Sequence, residues 1–136
     1  MTHRSQIDAL LKSADEALIK TKIVENGVVN DGYDSAIAAF GPIVTLSGLM
    51  PAMAFYCATG KDDKRKTDKS KVITAIALTL LSKYNKNDEK ALFSFCLEND
   101  NNRSISARLR DDIVNASIAL KIMVRTYKIP EGDGQE

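Results

Sequence analysis

A chain of 136 residues, 27% charged and 44% hydrophobic, is sized for one domain with a true core and is too short for two comfortable ones. Nineteen Lys and Arg against eighteen Asp and Glu leave a net charge of +1, which excludes binding nucleic acid by bulk attraction and leaves a local patch as the only route. Cys57 and Cys96 lie far apart without metal-ligand spacing, and the charged N-terminus contains no apolar run, so zinc, a disulfide scaffold, a signal peptide and a membrane span are not expected and the cytoplasm is the default location.

Ala, Leu, Ile, Lys and Asp dominate, which favours helices. Ile7, Leu10, Leu11, Ala14, Ala17, Leu18 and Ile23 carry the spacing of an amphipathic helix, with Ser5 and Asp8 as a capping box near its start and Gly27 near its end. The polar stretch 26–32 reads as a turn, and Tyr33, Ile37 and Phe40 open a second helix.

That helix leads into FGPIVTLSGLMPAMAFY, residues 40–56, an uncharged run containing Gly41, Pro42, Gly48 and Pro51. Gly costs roughly 1 kcal/mol against Ala in a helix interior and Pro about 3, so four such residues need a reason of shape or packing. The spacing predicts a corner at Gly41-Pro42 and a kink at Gly48-Pro51 in one wholly buried helix that runs toward Thr59. Lys61 to Lys71, without an apolar residue, is expected to be a solvated loop or a fraying helix start.

Val72, Ile73, Ile76, Ala77, Leu80 and Leu81 give a third helix from about Ser70, and Asn87 caps a short fourth through Ala91, Leu92, Phe95 and Cys96. The last and longest helix runs from Arg103 to about Lys128, where Pro130 follows. The expected fold is all-α: a compact single-domain helical bundle of about five to six helices over residues 1–129, with 130–136 a disordered C-terminal tail.

In the last helix Ile105, Leu109, Ile113, Ala116, Leu120, Met123, Val124 and Tyr127 form the core face. Beside it Arg103, Arg110, Lys121, Arg125 and Lys128 fall within about 60° of one another at roughly 100° per residue, with no acid in that arc. A one-sign stripe can follow phosphates; long basic side chains beside a core face can equally cover apolar surface with their stems. Lys64 and Arg65 in the charged loop are further candidate phosphate contacts.

Catalysis has little support. His3 stands alone, Asp111-Asp112 and Asp62-Asp63 are neighbours in sequence that do not converge, and Ser35, Thr45 and Ser47 have no base at a recognisable spacing. Gly27 and Gly32 form no phosphate loop, and Tyr33 and Tyr56 at helical spacing are core residues before they are stacking platforms. No metal, cofactor or small-molecule substrate is expected.

Tyr33-Asp34-Ser35-Ala36, Pro42-Ile43 and above all Ser47-Gly48-Leu49 followed by Ala52, Ala54 and Phe55 resemble the small all-helical subunit of type III-B CRISPR effector complexes, the Cmr-type RNA-guided machines that target RNA. The charged stretch after that helix and the closing helix from Arg110 to Arg125 fit the same pattern, so the resemblance covers roughly residues 4–128. Ser47 stands where Asn is usual, Pro51 is atypical, and the closing helix lacks the Trp often seen near Met123 and Val124. The resemblance implies a non-catalytic subunit that stacks with copies of itself into a short inner filament beside the guide-RNA-bearing backbone, contacts the other Cmr subunits and helps hold target RNA against the guide. Target cleavage then belongs to the backbone subunit. A free-standing helical adaptor, docking a protein through a partly exposed segment around Leu49, is the competing expectation.

Overall fold

The structure is a computed structural model; it describes residues 3–59 and 67–129, with side chains over 5–58 and 67–129. The apolar spacing of the first segment produces α1, His3–Lys20, which starts two residues ahead of Ser5 and buries Ala14, Ala17 and Leu18. It ends before Gly27 is reached: Thr21 turns its hydroxyl back to the Ala17 carbonyl at 2.8 Å, and Lys22 adopts φ 64°.

The polar stretch expected to be a plain turn holds a small antiparallel hairpin, β1 Val24–Glu25 and β2 Val28–Val29. Asn26 and Gly27 are its two loop residues, both at positive φ (55° and 77°), the conformation an Asn-Gly hairpin turn requires. Val24 and Val29 face the core while Asn30 closes the base, its side chain donating to the Lys22 carbonyl at 2.6 Å.

The 40–56 run departs most from expectation. There is no corner at Gly41: α2, Tyr33–Ser47, passes straight through Gly41-Pro42, and Pro42, on an exposed position, forfeits only the bond to the Ala38 carbonyl. The break comes at Gly48 (φ 94°, ψ 163°), after which α3 spans Leu49–Thr59. Gly48 serves both helices, donating its N–H to Val44 and accepting from Ala52 through its carbonyl. Pro51 is therefore the third residue of a new helix, where a missing N–H costs nothing, rather than the cause of a kink. Nor is the run wholly buried, since Leu46 is 87% exposed and Phe55 51%.

The chain returns at Thr67, whose hydroxyl donates to the Asp31 carbonyl at 2.7 Å, while the Asp68 N–H donates to the Tyr33 hydroxyl at 3.0 Å. Gly32 (φ 85°) lies directly beneath Thr67, and any side chain there would collide with it. Then follow α4 Ser70–Thr79, α5 Leu81–Tyr84, α6 Glu89–Glu98 and α7 Arg103–Val124. Asp88, one residue beyond the expected Asn87, caps α6 by accepting from the Ala91 N–H at 2.7 Å, and Asn102 caps α7 by accepting from Ile105 at 3.1 Å. The bundle expected from periodicity thus appears as seven helical segments among the described residues, because Gly48 and Leu80 each divide a longer apolar stretch.

Val72, Ile73, Ala75, Ile76 and Ala77 are all buried and Lys71, Thr74 and Leu78 half-buried, so α4 is covered over most of its surface and forms the centre of the bundle, touching α1, α3, α6 and α7. Hydrogen bonds from Asn115 to Gln6 and from Tyr127 to Asp15 show that α1 and α7 run side by side in the same direction. Phe40 and Tyr56 meet edge to face at 5.1 Å between α2 and α3, and the Tyr56 hydroxyl donates to the Ala36 carbonyl at 2.7 Å. Among the described residues no buried side-chain polar atom lacks a hydrogen-bond partner. No helix among them is long and apolar enough to cross a membrane.

Candidate nucleic-acid and subunit interface

The core face of α7 is as the spacing predicts: Leu109, Ile113, Ala116, Leu120 and Val124 are buried, with Ile105, Met123 and Tyr127 packed against them. The basic stripe beside it is shorter than predicted. The helix ends at Val124, so Arg125 occupies its C-cap and Lys128 lies beyond it, held by backbone bonds to Gly27 and Val29 of the hairpin. Arg103, Arg110, Arg125 and Lys128 are exposed and Lys121 half-buried. Lys64 and Arg65 lie outside the described residues.

These cations form two groups rather than one line. Arg103 and Arg110 stand near the N-terminus of α7, about 10 Å apart along the axis, and Lys121 follows about 16 Å further on at 1.5 Å per residue. Between the groups, Val114 and Ile118 share a hollow with Ile7 and Val44. Arg103 has no ion-pair partner among the described residues, and Arg110 reaches only Asp111, at 3.9 Å and with both side chains exposed, a contact of little energetic consequence.

Asp111 and Asp112 diverge as their adjacency requires. Asp112 turns inward, accepting from the Tyr84 hydroxyl and pairing with Lys83 at 3.0 Å. Burial and that carboxylate both push the Tyr84 phenol well above its ordinary value. Tyr33 and Tyr56 are buried, so neither ring face is open to a base. Lys69, at the end of the charged loop, places its ammonium 5.0 Å from the Phe55 ring and 5.5 Å from Tyr56. Among the described residues no cluster of His, Cys, Asp and Glu has a metal-binding arrangement.

What sequence reasoning missed is that the partly exposed segment around Leu49, at the Gly48 break, faces Arg103 and Arg110. Leu49, Met50 and Pro51 border a hollow of about 410 Å³ whose other wall is the first two turns of α7, with Arg103 and Arg110 in it. The available signal was the run itself, apolar in every direction over 40–56 and without the alternation that marks a one-sided face. The exposure around Leu49 that an adaptor would need is present.

The family model described as CRISPR-associated protein (Cas_Cmr5) fits residues 11–124, from the middle of α1 to the end of α7. No curated protein and no solved structure matches the chain. The match runs over the Gly48 break, α4 and the whole of α7, and the chain belongs to the Cmr5 family, the small subunit of type III-B (Cmr) CRISPR effector complexes.

Proposed function

We propose that this chain is a non-catalytic subunit of a cytoplasmic Cmr complex, stacking with copies of itself into the inner filament and helping hold target RNA against the guide. The observation that carries the RNA role is the set of exposed or half-exposed cations along one edge of α7 and just past its end, Arg103, Arg110, Lys121, Arg125 and Lys128. Cations that are not spent on internal ion pairs are available to phosphates, and contacts to phosphates grip a duplex without reading its sequence. Stacking is supported by a net charge of only +1, which spares neighbouring copies strong mutual repulsion. It is also supported by Ile19, Ile122 and Ile129, apolar side chains left exposed toward the C-terminal end of α7.

The test is charge reversal at Lys121 and Arg125 in the assembled complex, with target-RNA affinity measured over a range of salt. The expected result is weaker retention and a salt dependence shallower by roughly one for each phosphate that is no longer neutralised, at unchanged helical circular dichroism. Unchanged affinity and slope would remove these residues from the RNA interface.

A further inference from the structure

Arg103 and Arg110 differ from the other α7 cations in what surrounds them. Their hollow is bordered by Leu49, Met50 and Pro51, none of them buried, and includes one carboxylate, Asp100. Leu46, two residues before the Gly48 break, is the most exposed of the large apolar side chains. An RNA strand would gain from the two arginines but gain nothing from the apolar rim. A polypeptide bearing an apolar side chain beside a carboxylate gains from both halves, and Met with Arg is a combination enriched in protein interfaces.

We propose that this hollow seats a segment of another subunit of the effector complex. The segment's apolar side chain lies against Leu49, Met50 and Pro51, and its neighbouring Asp or Glu carboxylate sits between Arg103 and Arg110. This rests on the assembly reading above and divides its basic surface: the Arg103 end serves protein, the Lys121–Lys128 end serves RNA. A second copy of this chain complements the hollow poorly. Its exposed Ile19, Ile122 and Ile129 adjoin Lys20, Lys121 and Lys128, which would face the arginines. Leu97 does adjoin an acid, Glu98, but both lie within three residues of Asp100 at the same end of the molecule, so a copy would have to meet this one head to head.

The experiment uses the complex purified from its host, with a photo-cross-linking benzoyl side chain at position 50 and, separately, at position 121, and mass spectrometry of the products. The expected result is that position 50 joins to a different polypeptide, at a segment with a carboxylate within a few residues of an apolar side chain. In nuclease-treated complex, the pair Arg103→Glu with Arg110→Glu, and separately Met50→Ser, should each lower retention of this chain by about tenfold or more, with the helical spectrum of each variant intact. Cross-linking of position 50 to RNA, to a second copy of this chain or to nothing overturns the inference, as does full retention of Met50→Ser. Failure of the wild-type chain to co-purify with any effector subunit would instead overturn the assembly reading itself, and position 121 reports on the RNA role independently.

Discussion

Cys57 and Cys96 show how far a single residue's chemistry can be read from its neighbours in sequence. Spacing alone argues against zinc and suggests two small apolar side chains, and the fold buries Cys96 fully and Cys57 in part. What sequence cannot supply is the environment: α3 and α6 pack together, and Glu89 adds a nearby negative charge at Cys57. Burial first and Glu89 second push the Cys57 thiol up from 9.0 to about 11, and burial raises Cys96 to about 12. Cys57 then carries about a hundredfold less thiolate at neutral pH than an ordinary thiol. Its reaction with an aromatic disulfide reagent is expected to be slower by at least that factor in the native protein than in urea; equal rates would show the thiol to be open and unperturbed. The basic residues follow the same division. Their exposure follows from their type, whereas the difference between Arg110, which lines two hollows, and Lys128, bound to a hairpin, depends on elements distant in sequence.

Among the elements, the glycine-proline run tests local reasoning directly. Every one of its special residues was visible, yet the roles of Gly41 and Gly48 are not interchangeable. At Gly41 the backbone is helical and an added Cβ would meet only the Ser117 hydroxyl at 3.8 Å, an ordinary contact. At Gly48 the space is open, with Pro51 3.7 Å away, but φ of 94° with ψ of 163° is a conformation that L side chains adopt only under strain. Gly41→Ala is therefore expected to stabilise the protein by up to about 1 kcal/mol through helix propensity. Gly48→Ala should destabilise it by about 1–3 kcal/mol. Urea denaturation of the two variants checks this, and a Gly41→Ala protein less stable than Gly48→Ala would restore the corner to Gly41. The hairpin was read only as a turn: Asn26-Gly27 between Val-Glu and Val-Val is a strong hairpin sequence, but two-residue strands are too short to show a period.

For the whole molecule, the buried ionisable groups set an alkaline limit. Tyr56 is raised from 10.0 to about 12 by burial, as Cys57 and Cys96 are raised from 9.0. Each keeps its proton longer when folded than when unfolded, so the unfolded state binds fewer protons across this window and stability falls as pH rises. The stabilising contribution is complete below pH 9, declines as the unfolded groups ionise, and is lost as pH passes through 11 to 12. The urea midpoint should accordingly be level up to about pH 9 and drop steeply above it, and Cys96→Ala should make that drop shallower; a midpoint independent of pH to 11 would contradict the burial of these groups. At this scale the amino-acid sequence by itself determined a predominantly helical fold, the core face of α7, a cap beside Asp88 and a family resemblance that the Cmr5 match confirms, because periodicity, capping and composition are local properties. Only the tertiary structure decided that Gly48 and not Gly41 breaks the chain, that Leu46 and Phe55 stay in solvent, and that the α7 cations separate into two groups, one facing an apolar rim. Which face of an all-apolar helix is covered depends on the neighbours that reach it, and those neighbours come from segments as far apart in sequence as Leu49 and Arg110.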